Sequence, residues 1–363
     1  MSRYVYGRAF LGVAKSAVFQ QLFKDPVHLR EAALALAEVL MLGSGQNAIV
    51  TAANTTTHMA RASHALETLR TLQPKTLFGV QTALTLALLL LWYNDINLGH
   101  QSLPISRSAL LAAHGWQSDL IGAAAIESDA NITSLLFAEI YECLIRREVP
   151  VFRYTPPVHH HRIDRHYGVC DGLLPYLYDV CELANRQKLG LLSRQESIEQ
   201  AHQLVASIKA WMPVQEASRR MVHMLPMEEF EKQHLISQAN IFRLMALLLI
   251  QSLQPDNDSA VRHQTALKLR QSILDEMQQG PRGPRYLLFP YFISCLELAP
   301  SLTSDSSRLQ VAEHMEEITN GLAPTSCRSM VEFMDTVWQS CEKKYPWSWF
   351  EIVDETPEFC IGP

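Results

Sequence analysis

Glycine is scarce in this sequence, 15 residues of 363, or roughly 4% where ~7% is usual. Cysteine is sparser still. Its seven positions, Cys143, Cys170, Cys181, Cys295, Cys327, Cys341 and Cys360, form no CxxC pair and leave an odd count. That pattern excludes a disulfide scaffold and suits buried thiols in a reducing compartment. Positive charge is not in excess: 31 Lys and Arg stand against 37 Asp and Glu, a net charge of −6. The chain therefore has no global attraction for nucleic acid or an anionic membrane, and direct nucleic-acid binding is not expected. Long hydrophobic runs are missing too. The most apolar segment, Thr82 to Tyr93, is about a dozen residues long, short of the roughly 20 that span a bilayer, so it reads as a core helix with no membrane span. The opening MSRYVYGRAFLGVAKSAVFQQLF lacks the apolar stretch and cleavage pattern of a secretory signal, which points to a cytosolic or nuclear protein. No Ser-His-Asp array, glycine-rich phosphate loop, dinucleotide fingerprint or HExxH pair occurs, so hydrolase, kinase, dehydrogenase and zinc-protease readings have no support.

What is present is apolar and periodic. With 48% hydrophobic and 19% charged residues the chain can bury a large core, as one big domain or two ordinary ones, and disorder is excluded. Apolar residues recur at spacings of three and four, which predicts an all-α protein. Short turns between the segments predict a multi-helix orthogonal bundle of stacked antiparallel helix hairpins, in a single helical domain over residues 1–363. Helices are expected over Pro26 to Met41, Thr55 to Leu72, Gly79 to Leu98, Ser106 to Ala113, Gln117 to Glu127, Asn131 to Arg147 and Leu173 to Lys188. The series continues with Arg194 to Lys209, Glu228 to Leu253, Ser259 to Gln278, Arg285 to Leu298, Asp305 to Asn320 and Ser326 to Lys344. Ser193 with Glu196 makes a capping box, Asp258 and Asp305 are placed to cap the helices they precede, and Gly190, Gly280 and Gly321 sit just past helix ends. One long irregular loop, residues 148–171, interrupts the pattern with three prolines and a cluster of histidines and arginines.

Four segments carry a resemblance. Trp116-Gln-Ser-Asp119-Leu-Ile-Gly122-Ala123 matches a W-x-x-H-L-x-G-A helix, with Asp119 where histidine is usual. Asp171-Gly172 and the Leu-rich stretch through Glu182 match a D-x-x-G…LL-x-x-I-x-x-L-A pattern. Leu288-Phe289-Pro290 through Ser294-Cys295 and Glu297 is similar to L-W-P-x-F-I-A-G-C-E, and Val337-Trp338 with Trp347 and Trp349 fits a closing V-W…W pattern. In this order and spacing the chain resembles the helical regulatory domain that follows the DNA-binding zinc cluster of fungal transcription factors. That family's zinc module needs six closely spaced cysteines and a basic linker, and these 363 residues supply neither. Two roles follow: a regulator that works with a second protein, or a helical scaffold turned to catalysis. The second rests on a likeness to the unusual humulene-synthase-type sesquiterpene cyclases of fungal secondary metabolism, which lack the usual aspartate-rich signatures.

That second likeness implies a magnesium-dependent cyclase with an apolar internal pocket, acting on farnesyl diphosphate or another prenyl diphosphate, with carboxylates for the metal, cations for the diphosphate and aromatic faces for carbocations. Asp95 ends the apolar helix and is either a polar helix end or a Mg²⁺ ligand; Asp119 and Asp129 are further candidates. Arg162 and Arg165 in the irregular loop, and the pair Arg285-Tyr286, are the expected diphosphate ligands, with solvated surface as the bland reading. Trp92, Tyr93, Trp116 and Phe289 are the expected cation-shielding residues, or plain core. His159, His160, His161 and His166 with Asp164 and Cys170 invite a zinc reading, although adjacent histidines do not easily face one metal. The catalytic reading is the leading expectation, with a hydrophobic small-molecule partner and a homodimer; a transcription-factor-like regulator without its own zinc cluster is the alternative.

Overall fold

Spacings of three and four along the chain become helix after helix. The computed structural model describes residues 16, 18–43, 52–97, 102–116, 126–154, 163–164, 166–215, 217, 229–254, 259–279, 287–319, 324–342 and 348–359. Among these residues no strand occurs, only an isolated bridge between Asp164 and Gly168, and the fold is all-α. The helices are α1 (Pro26–Gly43), α2 (Ala52–Thr71), α3 (Leu77–Asn97), α4 (Ser102–Ala113), α5 (Ile126–Arg146), α6 (Leu174–Lys188) and α7 (Arg194–Ala210). They continue with α8 (Glu229–Ser252), α9 (Ser259–Gln279), α10 (Leu288–Leu298), α11 (Asp305–Thr319), α12 (Pro324–Cys341) and α13 (Trp349–Glu355). The chain divides into two compact units, the first formed by Met1–Glu139 with Leu322–Ser326 and Ile361–Pro363, the second by Ile140–Gly321 and Cys327–Cys360.

In the first unit α3 is the centre, because its sequence leaves it no polar face. Every residue from Thr82 to Asp95 is buried, and α1, α2 and α4 pack around it. The polar groups it carries inward find partners: Thr82 Oγ1 donates to Asp25 Oδ2 at 2.9 Å, and Thr85 Oγ1 accepts from Asn131 Nδ2 at 3.2 Å. Arg61 of α2 reaches Glu31 and Glu38 of α1 at 2.7 and 3.2 Å, which ties the outer pair of helices together. By length and composition α3 (21 residues) and α8 (24 residues) are apolar enough to cross a membrane, but 78% and 61% of their apolar windows are buried inside the protein. Their apolar surface is spent on other helices, as in the core helices of a globular fold.

In the second unit α8 plays the central part, with a buried face from Leu235 to Ile250 that meets α6, α7, α9 and α10. Helix boundaries here follow the local signals. Ser193 Oγ accepts from Glu196 N at 3.3 Å while Ser193 N donates to Glu196 Oε2 at 2.9 Å, the reciprocal capping box the sequence predicts. Gly190 closes α6 with φ +66°, and a Cβ there meets nothing within 4 Å. Gly190→Ala is therefore expected to cost about 1 kcal/mol through backbone strain alone, read as a lower urea midpoint with an unchanged slope. The cap of α11 lies one residue from its expected place: Ser304 Oγ accepts from Ser307 N at 3.2 Å, and Asp305 is already the first helical residue. Asp258, Gly280 and Gly321 lie outside the described residues.

The end of the irregular loop is a closed turn. Asp164 and Gly168 exchange both backbone hydrogen bonds, at 2.8 and 2.9 Å, and Asp164 Oδ1 accepts from His166 N and Tyr167 N at 2.8 and 2.7 Å. A carboxylate folded back onto its own loop holds such a turn without regular structure. His159, His160 and His161 lie outside the described residues. Helix α13 was not foreseen from the sequence. Its seven residues bury Trp349, Phe350, Ile352 and Val353 but are too few to show a helical period. Cys143, Cys170, Cys181, Cys295 and Cys327 are buried and outside any disulfide.

Candidate functional site

The C-terminal end of α3 gathers polar groups inside an apolar unit. Tyr93 stands at its centre, with its hydroxyl 2.9 Å from His58 Nδ1 and accepting from Asn97 Nδ2 at 2.9 Å. The Tyr93 oxygen has room for a second donor beside Asn97, so which of Tyr93 and His58 donates follows from the imidazole tautomer. Burial holds His58 below the usual imidazole range, with the charge of Glu38 opposing it in part. Burial also pushes the Tyr93 hydroxyl up to about 12. Next to Tyr93, Asn94 is 2% exposed and its buried Nδ2 has no hydrogen-bond partner among the described residues. Asn94 lines a cavity of about 60 Å³ together with Ala62, Ser63 and Leu66 of α2, Leu90 and Tyr93 of α3, and Ile105 of α4.

The neutral imidazole gives a pH dependence with a definite sign. A histidine whose folded pKa lies below its unfolded value of 6.5 supplies stability that is present above pH 6.5 and lost as pH falls through the folded pKa. Urea midpoints are thus expected to fall between pH 7.5 and pH 5, and His58→Gln to flatten that fall in the tryptophan signal of the first unit. His314 is lowered by burial too and His234 is pushed down to about 4, so much of the slope should survive; an unaltered slope in the variant would remove His58 from this account.

The second unit has a polar centre of a different kind, built on a buried carboxylate. Glu297 of α10 accepts from Ser252 Oγ at 2.5 Å and from Trp349 Nε1 at 2.6 Å, and its other oxygen meets Arg262 Nε at 3.0 Å. Burial pushes this carboxyl up, while Arg262 and the two neutral donors pull it back. One side chain thereby joins the end of α8, the start of α9, α10 and α13. Helix α13 is held from its other side as well. Asp354 takes Lys188 Nζ at 2.8 Å and pairs with Arg147, whose guanidinium also lies 5.0 Å from the Phe350 ring centroid. Arg146 Nη2 donates to the backbone oxygens of Pro357 and Phe359 at 3.1 and 2.5 Å.

The residues the sequence singles out are scattered between these places. Trp92, Tyr93 and Asp95 are buried on the last turns of α3 in the first unit. Trp116 ends a short 3₁₀ turn, His114–Trp116, and is half-buried. Phe289 belongs to the second unit, where it stacks on Tyr141 at 4.2 Å between ring centroids. Asp119, Arg162, Arg165, Arg285 and Tyr286 lie outside the described residues, as does the side chain of Asp129 on α5. Among the described residues no three His, Cys, Asp or Glu side chains come together as a metal site. The two polar centres are a neutral Asn–Tyr–His relay and a carboxylate closed on its partners, arrangements that fix helices in place.

A family model described as fungal specific transcription factor domain matches residues 15–362. The chain belongs to that family. No curated protein and no solved structure matches it. Membership of a transcription factor family over almost the whole chain overturns the leading expectation of a sesquiterpene cyclase, and with it the assignment as a lyase of sesquiterpene biosynthesis. Mg²⁺ and farnesyl diphosphate entered only through that chemistry and lose their motive with it. The alternative, a regulator of the transcription factor type, is the reading the family supports.

Within this fungal transcription factor domain, three of the four segments that carried the resemblance make packing joints, and the fourth, apart from Trp116, lies outside the described residues. Glu297 and Trp349 belong to two of them and are bonded to each other. Gly172 belongs to a third, in the turn before α6, and a Cβ there would lie 3.0 Å from Trp211 Nε1, so a larger residue would have to push the indole back. Trp338 packs under the Arg308 guanidinium at 5.3 Å. The residues that sequence reasoning missed are His58, Asn94 and Asn97, single polar side chains whose meaning depends on which helices meet.

Proposed function

We propose that this chain is the regulatory helical part of a nuclear fungal transcriptional regulator, and that contact with DNA is made by elements outside these 363 residues, on the same or on a partner protein. The observation that carries this reading is the family match over residues 15–362. Two features of the sequence support the division of labour. A net charge of −6 gives no electrostatic drive toward a phosphate backbone, whose neutralisation dominates nucleic-acid affinity. The seven cysteines contain no CxxC pair from which a zinc-bound DNA reader is built. The domain in this reading receives a signal and passes it on through its helices.

Tethering provides the test. The chain is fused to an unrelated DNA-binding domain and expressed in a fungal host that carries a reporter with the matching operator. A several-fold change in reporter output over the DNA-binding domain alone is expected. Output equal to that of the DNA-binding domain alone, with the fusion shown to be intact and nuclear, overturns the proposal.

A further inference from the structure

Helix α1 has two apolar faces, and its own unit covers only one. Leu29, Ala32, Ala35, Leu36 and Val39 are buried, on the side where α2 and α3 pack. On the opposite side Phe23, Val27, Arg30, Leu34, Ala37 and Met41 follow one another at alternating steps of four and three, the heptad spacing of a helix that pairs with another helix. Phe23 is 84% exposed, Val27 80% and Met41 57%, and Phe19, one turn before Phe23, is 56% exposed. Arg30 and Ala37 are exposed as well, and Leu34 is half-buried. The row starts ahead of α1. Residues 18–24 are helical, and Asp25 N donates to Gln21 O at 2.9 Å while Leu29 N donates to Asp25 O at 3.3 Å, so the helix continues through Pro26. Single exposed apolar side chains are ordinary, but a contiguous row at heptad spacing marks an interface.

The row complements a second copy of itself in one direction. In a parallel pair each Arg30 would meet the other Arg30. Lys24, Glu31 and Glu38, which share one flank at seven-residue spacing, would then face Phe19, Pro26 and Ala33 and find no opposite charge. An antiparallel pair sets Phe23 against Met41, Val27 against Ala37 and Arg30 against Leu34 of the second copy, each contact made twice by the two-fold symmetry. Lys24 then comes toward Glu38 of the second copy at both ends. Glu31, which meets its own copy near the axis, is already neutralised by Arg61 at 2.7 Å. Arg30 keeps its guanidinium in water and lays its stem on Leu34. At about 150–250 Å² for a buried aromatic side chain, Phe19 and Phe23 of both copies, with Val27 and Met41, withdraw on the order of 1,000 Å² from water, the threshold of a specific interface. We propose that the outward face of α1 is a homodimerisation surface, on which two copies of this chain pair as an antiparallel coiled coil. The surface belongs to the first unit alone and does not depend on the chain's role in transcription.

Sedimentation velocity on the purified full chain tests the surface. A monomer–dimer equilibrium with a dissociation constant on the order of 1–10 μM is expected from an interface of this size. Phe23→Glu and Val27→Glu each place a carboxylate in the middle of an apolar contact and should raise that constant about tenfold or more. Both positions are exposed, so the circular dichroism should stay unchanged, and either variant serves should the other not fold. Direction is read by cysteine pairing. A chain carrying both Val27→Cys and Ala37→Cys should give a covalent dimer on mild oxidation, where Val27→Cys alone gives no more than the wild type. A wild-type chain that remains monomeric at about 100 μM overturns the proposal. So does a dimer that the folded glutamate variants leave intact, or a covalent dimer formed by Val27→Cys alone.

Discussion

Glu297→Ala is expected to destabilise the protein by about 3–5 kcal/mol, the cost of opening a buried ionic network from one side. Three donors lose their acceptor at once: Ser252 Oγ, Trp349 Nε1 and Arg262 Nε. Arg262 is 31% exposed and can turn to water, whereas the buried Trp349 indole cannot. Urea denaturation followed by tryptophan fluorescence reads the loss, and a shift under about 1 kcal/mol would show that the carboxylate is not the joint between α10 and α13. Glu297→Gln separates charge from shape. Burial raises the folded pKa of Glu297 above its ordinary 4.5, so the protonation-linked part of its contribution is fully present below pH 4.5 and is lost as pH rises through the folded pKa, while the contacts with Ser252, Trp349 and Arg262 carry the rest. The glutamine variant mimics the protonated form and should show a flatter decline over that window, with its midpoint approaching or passing that of the wild type toward neutral pH.

Phe289→Ala should cost about as much, 3–5 kcal/mol, by a different route. The ring is 3% exposed and stacked on Tyr141, which in turn lies 6.3 Å from Phe242 of α8, so truncation leaves a void lined by aromatic rings that cannot collapse into it. Phe289→Leu, which keeps much of the volume, should lose far less. Thermal unfolding of the two variants distinguishes packing from the shielding role first expected of this residue. Equal losses from alanine and leucine would contradict the packing account.

The reasons some features were legible in the sequence and others were not are physical. Among the described residues helix type followed from apolar period, while the expected helix Gln117–Glu127 lies mostly outside them, and Ser193 with Glu196 marked a boundary because a capping box is a contact between near neighbours. Asp305 misled because Ser304, one residue earlier, competes for the same cap and wins. The short α13 carried no period, and only the three-dimensional meeting of Trp349 with Glu297 gives it a place. The family resemblance was correct, and among the residues it rested on Gly172 and Glu297 sit where close approach and buried hydrogen bonds constrain them. The catalytic reading failed because isolated aspartates and aromatics on apolar helices look the same whether they line a pocket or fill a core, and Phe289 fills a core. The pairing of His58 with Tyr93 joins positions 35 apart in the chain, beyond the reach of any local pattern.

Helix α3 has no outward side from Thr82 to Asp95, a stretch of about four turns. Its amide protons should be the slowest to exchange with deuterated solvent in the first unit, since none is released without displacing a neighbouring helix. The same enclosure removes the lenient positions that surface helices keep. Along this stretch neutral drift has nowhere to settle, and related chains should differ least where this one is greasiest.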